Sequence, residues 1–279
     1  MGTMSPYLAL TKPRISLMVI ITAAIGYILS TNEFSLTQFL FLILGTWAAS
    51  GGASALNQYL ERFNDGLMER TKRRPIPSGA VDSEKALLFG VGLSLFGVFI
   101  LVVQNNLLAG FIGLLTIFLY VFLYTPLKQI SAYNTVVGAI PGALPPMGGW
   151  AAGAGEIELG AWALFLIMFL WQLPHFYAIA WMYKDDYERG GFKMLPSVSK
   201  NGTLAATLLT SVLLLCASLI PNFIGLGGAI YLIGASLLGV GMVLYSLKLL
   251  FSPTRNNARS VLFASLIYLP CVLGLLVLP

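Results

Sequence analysis

Apolar residues run through this chain in blocks of about 20, broken at short intervals by polar and charged clusters. A block of that length spans the hydrocarbon core of a bilayer as one α-helix. Nine are legible, near residues 14–31, 38–60, 85–104, 107–125, 133–152, 159–182, 203–220, 228–250 and 258–277. No Ser- or Gly-rich linker or low-complexity tract divides them, so residues 1–279 are expected to form one integral-membrane domain. The expected fold class is all-α: a polytopic membrane protein with nine transmembrane helices. The run GAIPGALPPMGGW (138–150) is expected to loosen or kink the fifth. Such a break is tolerated at membrane depth only where protein or a cavity satisfies the freed backbone groups.

Composition agrees with the pattern. Hydrophobic residues make up 57% of 279 and charged residues only 10%, more apolar surface than a soluble domain of this size can bury. With a cytoplasmic N-terminus, all sixteen Lys and Arg fall on inner segments or inner helix ends. The outer connections keep only Glu33, Glu156 and Glu158, as the positive-inside rule requires. The net charge of +5 is then topological and gives no reason to invoke nucleic acid. The first dozen residues are too short and too weakly basic for a cleaved signal. Cys216 and Cys271 lie inside apolar blocks without ligand spacing and are expected to be buried structural thiols.

The charges that remain are concentrated. In NQYLERFNDGLMERTKRRPIPSG (57–79), eight of 23 residues are charged. Asn57, Glu61 and Asp65 stand at i, i+4 and i+8, which puts three oxygen donors on one helix face. Mg²⁺ favours a few carboxylates shared with water and substrate phosphates. Arg62, Arg70, Lys72 and Arg73 accompany the stripe, and guanidinium forks suit phosphate oxygens. Stripe and basic run together read as a metal–diphosphate clamp, with Lys72 and Arg74 equally well explained as topological anchors.

A second polar group lies in WQLPHFYAIAWMYKDDYERGGFKMLP (171–196). Asp185, Asp186 and Glu188 sit there among Lys184, Arg189 and Lys193, with Lys184 a further candidate for diphosphate binding. Opposite the first stripe, Asp185 or Asp186 would hold a second metal on the same diphosphate; an exposed, solvated loop is the alternative. Tyr124 and Lys128, in YTPLKQ, reach the same inner face and are candidates for diphosphate binding. His175, the only histidine, lies within an apolar block and is either a packing residue or a ligand.

The stretches TKPRISLMV, NQYLERFNDGLMERTKRRPIPSG, YTPLKQISAYNTVVGAIPGALPPMGGW, WQLPHF and DDYERGGFKMLP are spread through most of the chain. Through them it resembles the UbiA-type intramembrane prenyltransferases, and among these the heme-modifying branch. The family's first motif, Asn-xxx-Asp-xxx-Asp, is met by Asn57, Glu61 and Asp65, with Glu61 longer by one methylene. Its second motif, two Asp four apart, is not cleanly present: Asp185 is followed at that spacing by Arg189, and Asp186 by Gly190.

The resemblance implies a nine-helix bundle in the bacterial cytoplasmic (inner) membrane, its N-terminus and active-site loops cytoplasmic. It implies Mg²⁺ as cofactor, farnesyl diphosphate and heme B as substrates, and heme O and diphosphate as products. Asn57, Glu61, Asp65, Asp185 and Asp186 become the catalytic, metal-holding set. His175 becomes a heme contact, either an axial ligand or a hydrogen-bonding group near the propionates. Heme A synthase or an oxidase assembly factor would be a handover partner. Three other readings compete: a quinone-precursor acceptor; a CDP-alcohol phosphotransferase, of whose motif only Asp65-Gly66 followed by Arg70 is present; and a transporter using the acidic groups for ion coupling.

Overall fold

Lipid offers backbone amides no hydrogen bonds, so each apolar block must satisfy its own within a helix. In the computed structural model, which describes residues 5–31 and 33–278, nine long helices do so. They are α1 (Pro13–Ser30), α2 (Leu36–Leu60), α3 (Ser83–Asn105), α4 (Leu107–Ile130), α5 (Asn134–Ala154), α6 (Leu159–Met182), α7 (Lys200–Ala217), α8 (Ala229–Phe251) and α9 (Arg255–Val277).

Among the described residues, eight of these are long and apolar enough to cross a membrane; α5 is the exception. Its position explains the difference from the nine expected. It packs against α1, α4 and α6 and buries 14 of its 21 residues, so it needs small residues more than lipid-facing ones. Its Pro141, Pro145 and Pro146 do not end it, and helix runs from Asn134 to Ala154. A neighbour supplies polar support, since Gln172 of α6 donates through Nε2 to the Ala139 carbonyl at 3.2 Å. A Cβ on Gly149 would run into the Ala23 carbonyl of α1, so the close α1–α5 approach depends on that glycine. Gly155, at φ 80°, then closes the helix.

The largest core lies among α5 to α9, around Leu164, Ile167, Tyr231 and Tyr268. Large apolar side chains such as Leu95, Phe99, Phe122 and Leu237 instead face outward, where lipid replaces a protein core. Cys216 and Cys271 share that outward surface as free, exposed thiols, which corrects the expectation that they are buried. Being apolar in sequence did not distinguish a lipid-facing from a core-facing position.

α3 and α4 each contain a π-helical segment, Leu101–Asn105 and Leu119–Tyr124. Such segments often mark functional positions in helices. The second lies just before Thr125 and Lys128, and Thr125 Oγ1 donates to the Tyr120 carbonyl at 2.8 Å. The extra residue per turn rotates the last turns of α4, and Thr125 and Lys128 meet the end of α2.

Candidate active site

The polar end of α2 is buried. Asn57, Glu61 and Asp65 are 1%, 4% and 0% exposed, which in a chain this apolar requires partners. α2 stops at Leu60 and a short helix, Arg62–Leu67, follows. The amides of Glu61 and Asp65 still donate to the carbonyls of Asn57 and Glu61, at 2.9 and 2.8 Å, which carries the four-residue spacing across the junction.

Each of the three side chains meets a cation from a different part of the chain. Lys12 Nζ donates to Asn57 Oδ1 at 2.8 Å, and Lys128 Nζ to Glu61 Oε1 at 2.7 Å. Arg74 NH1 lies 2.8 and 2.7 Å from the two Asp65 oxygens and 4.0 Å from Glu61 Oε2. Asn57 Nδ2 donates in turn to Thr125 Oγ1 at 3.0 Å. Lys128 also lies over the Tyr124 ring, 4.5 Å from its centroid. Lys12 has φ 47°, the one positive φ outside glycine among the described residues. Strained backbone of this kind persists where surrounding contacts enforce it.

The same contacts set the titration of the cluster. Burial opposes the charge on Glu61, but Lys128 and Lys12 outweigh it and hold the carboxyl below the ordinary glutamate value. For Asp65 burial wins over Arg74 and raises the carboxyl. Burial, then the charge of Arg74, lowers the Lys12 ammonium to about 7.

The second polar group meets the first through backbone. Asp186 Oδ1 accepts from the Glu69 amide at 2.9 Å and Oδ2 from the Arg70 amide at 3.3 Å, while Arg189 NH2 lies 2.5 Å from Oδ1. Asn64 Nδ2 donates to the Gly190 carbonyl at 2.7 Å. The Lys193 amide donates to the Lys128 carbonyl at 2.7 Å. Asp186 thus ties residues 61–84 to residues 183–202. Asp185 is exposed and lines a pocket of about 470 Å³ with Arg70, Tyr183 and Arg255.

The remaining expected phosphate contacts are dispersed. Arg62 turns back to the Tyr59 carbonyl at 2.7 Å. Arg70 lies over the rings of Tyr183 and Tyr187. Lys72 pairs with Glu69 at 2.6 Å, and Lys184 with Glu188 at 3.5 Å. Arg73 is exposed. Lys12 and Thr125 escape the sequence reading, which leaves Arg74 open between a phosphate contact and a topological anchor. Their roles depend on partners 45, 68 and 9 residues away in sequence, a relation that no local motif carries. His175 sits two turns before the end of α6, its ring stacked 5.0 Å from Trp171 and its Nδ1 2.8 Å from Ser265 Oγ.

A bundle of lipid-facing helices thus gathers a buried cluster of acidic and basic side chains at one end, and the chain belongs to a class of membrane enzymes, the UbiA prenyltransferase family, whose sequence model matches residues 19–267. It is 42% identical to the "Protoheme IX farnesyltransferase" of Solibacter usitatus (strain Ellin6076), over 99% of this chain and 98% of that one. It is likewise 42% identical to the protein of the same name from Opitutus terrae, over 98% and 94%. The fold matches that of a digeranylgeranylglyceryl phosphate synthase at TM-score 0.83 and 19% identity, covering 98% of this chain and 96% of the other. It also matches a UbiA homolog from Archaeoglobus fulgidus bound to GPP and Mg²⁺, at TM-score 0.68 and 15% identity, covering 98% and 100%.

The donor chemistry fits a Mg²⁺ ion of the family's kind. Asn57, Glu61 and Asp65 offer buried oxygens of the hard type Mg²⁺ takes, and these now accept from Lys12, Lys128 and Arg74, contacts that a bound ion would share or displace. Among the described residues, no three His, Cys, Asp or Glu side chains form a metal cluster. An incomplete cage suits Mg²⁺, which takes the rest of its shell from water and substrate phosphate.

Proposed function

We propose that this prenyltransferase moves the farnesyl group of farnesyl diphosphate onto a vinyl group of heme B, with addition of water, giving heme O and diphosphate. One observation carries the reading: the oxygen set Asn57, Glu61 and Asp65 is buried against Lys12, Lys128 and Arg74. The curated relatives at 42% identity supply the acceptor, heme. The bilayer is that of the bacterial cytoplasmic membrane. The distribution of Lys and Arg favours a cytoplasmic N-terminus and cytoplasmic site loops.

In this reading Asn57, Glu61 and Asp65 hold Mg²⁺, which when bound acts as a Lewis acid on the diphosphate. Asp185, exposed beside the same loops, supplies a further carboxylate, while Asp186 holds the two connections together. Lys12, Arg74 and Lys128 neutralise charge that grows on the departing diphosphate, already oriented by the protein before reaction. The C1–O bond of the farnesyl chain breaks and its electron pair leaves with the diphosphate. The vinyl π electrons form the new bond to C1. Water then adds to the cation left beside the porphyrin ring, with release of one proton. The apolar interior of the bundle keeps water from the farnesyl cation before the acceptor reaches it.

The test is direct. Purified protein with heme B, farnesyl diphosphate and Mg²⁺ forms heme O, identified by mass. Farnesylation of a quinone precursor with no heme O would replace heme as the acceptor.

A further inference from the structure

Gln172 lies within α6 at 5% exposure, against the proline-rich turns of α5. Its Nε2 donates to the Ala139 carbonyl at 3.2 Å and to the Met168 carbonyl at 3.0 Å. Both neighbours can only accept, so the amide nitrogen must face them and Oε1 is the free end. Among the described residues no group donates to Oε1, yet the atom is not sealed and keeps surface that water can touch. It lies against Gly142, where a Cβ would collide with it. The same turn of α5 is short of donors for a second reason. Pro145 and Pro146 have no N–H, so the carbonyls of Pro141 and Gly142 lack the partner that an α-helix gives them. A buried amide oxygen beside such carbonyls is a group of acceptors alone, and a water, which brings two protons, is what satisfies it.

We infer that Gln172 holds the water that hydrates the cation beside the porphyrin, an assignment that rests on the proposed function. Its depth in the bundle suits the task. On one face of α5, a Cβ at Gly138 would meet the Tyr124 ring and one at Gly142 the Gln172 amide. Those positions are one helical turn apart, about 6 Å at 1.5 Å per residue. The Tyr124 ring lies under Lys128, so Gln172 stands about one turn deeper than the diphosphate end. A single water fixed there reconciles a hydration step with an interior that is otherwise apolar. It donates one hydrogen bond to Oε1, which makes its oxygen the better nucleophile. A lone pair of that oxygen forms the C–O bond to the cation left after the vinyl group has attacked the farnesyl carbon. The proton it sheds passes to the diphosphate released in the first step. An amide is too weak a base to take that proton, so Gln172 positions the water and does not deprotonate it.

Without the held water the cation has another exit. A C–H bond beside it breaks, the electron pair forms an alkene, and the product is lighter than heme O by one water. Purified Gln172→Leu, given heme B, farnesyl diphosphate and Mg²⁺, is expected to shift the alcohol-to-alkene ratio toward alkene by about tenfold, the scale of one hydrogen bond. Gly142→Ala keeps the amide but sets a Cβ against Oε1, and it should shift the ratio the same way. Gln172→Glu, which keeps an oxygen acceptor at that place, should stay near the wild-type ratio. Mass analysis of the products reads all three. An unchanged ratio in Gln172→Leu and Gly142→Ala overturns the assignment. So does an equal fall of both products, which is what lost packing alone would give. Heme O from the wild type beside either negative result leaves the proposed function standing. A wild type that farnesylates a quinone precursor and forms no heme O removes the acceptor, and with it the cation this water would hydrate.

Discussion

Arg74 and Asp65 face each other across the loop that joins them, one guanidinium nitrogen within 2.8 Å of both carboxylate oxygens. Asp65 has no solvent exposure while Arg74 is 23% exposed, so it is the carboxylate that lacks water as an alternative partner. Removing one member of such a pair strands the other and typically costs about 3–5 kcal/mol. Arg74→Ala is therefore expected to lower thermal stability by that order and to abolish transfer. Arg74→Lys, which keeps the charge but not the shape, should retain most of the stability with reduced transfer. Thermal unfolding and product assays on the same preparations check both.

Asp65→Asn keeps shape and removes the charge that makes the oxygen set attractive to a divalent cation. The protein should fold, since Arg74 can still donate to the amide oxygen, while transfer falls by at least about 100-fold, the scale of losing one preorganised electrostatic contact. Chelating the metal in the wild type should have the same effect and be reversed by Mg²⁺. Retained transfer in Asp65→Asn would remove this group from the metal site.

Lys12 combines a strained backbone with a side chain on Asn57. Lys12→Met should raise the KM for farnesyl diphosphate and lower kcat, leaving heme affinity unchanged. Steady-state kinetics and heme titration together separate a diphosphate contact from a general loss of structure.

Asp186 is expected to act mainly through architecture. Burial opposes its charge, but Arg189 and the amides of Glu69 and Arg70 prevail and hold its carboxyl below the ordinary aspartate value. A lowered carboxyl contributes stability above the unfolded-state pKa and loses it as pH falls through the lower, folded value. Asp186→Asn should loosen the junction between the two connections by about 1–3 kcal/mol near neutral pH. Faster hydrogen exchange at the Glu69 and Arg70 amides would report it, and the difference from wild type should vanish in acid.

Gly149 tests the bundle itself. Gly149→Ala introduces a Cβ against the Ala23 carbonyl and should force α1 and α5 apart, lowering thermal stability by about 1–3 kcal/mol. A change to Ala at Gly241, where a Cβ meets nothing, is the neutral control.

The sequence by itself determined the membrane class, the helices and the grouping of the polar residues, because each is written locally. Apolar block length sets a helix that spans lipid, and four-residue spacing puts Asn57, Glu61 and Asp65 on one side at the end of α2. Tertiary structure decided which cation serves which oxygen. Lys12, Arg74 and Lys128 look alike in sequence to Arg62, Lys72 and Lys184, which pair with nearby residues instead. It also decided that α5 is interior and that the two cysteines face outward, since helix orientation depends on all the neighbours together. The contact of His175 with Ser265 belongs to the same class: the hydroxyl lies 90 residues further along the chain, and only the packing of α6 on α9 brings it within reach.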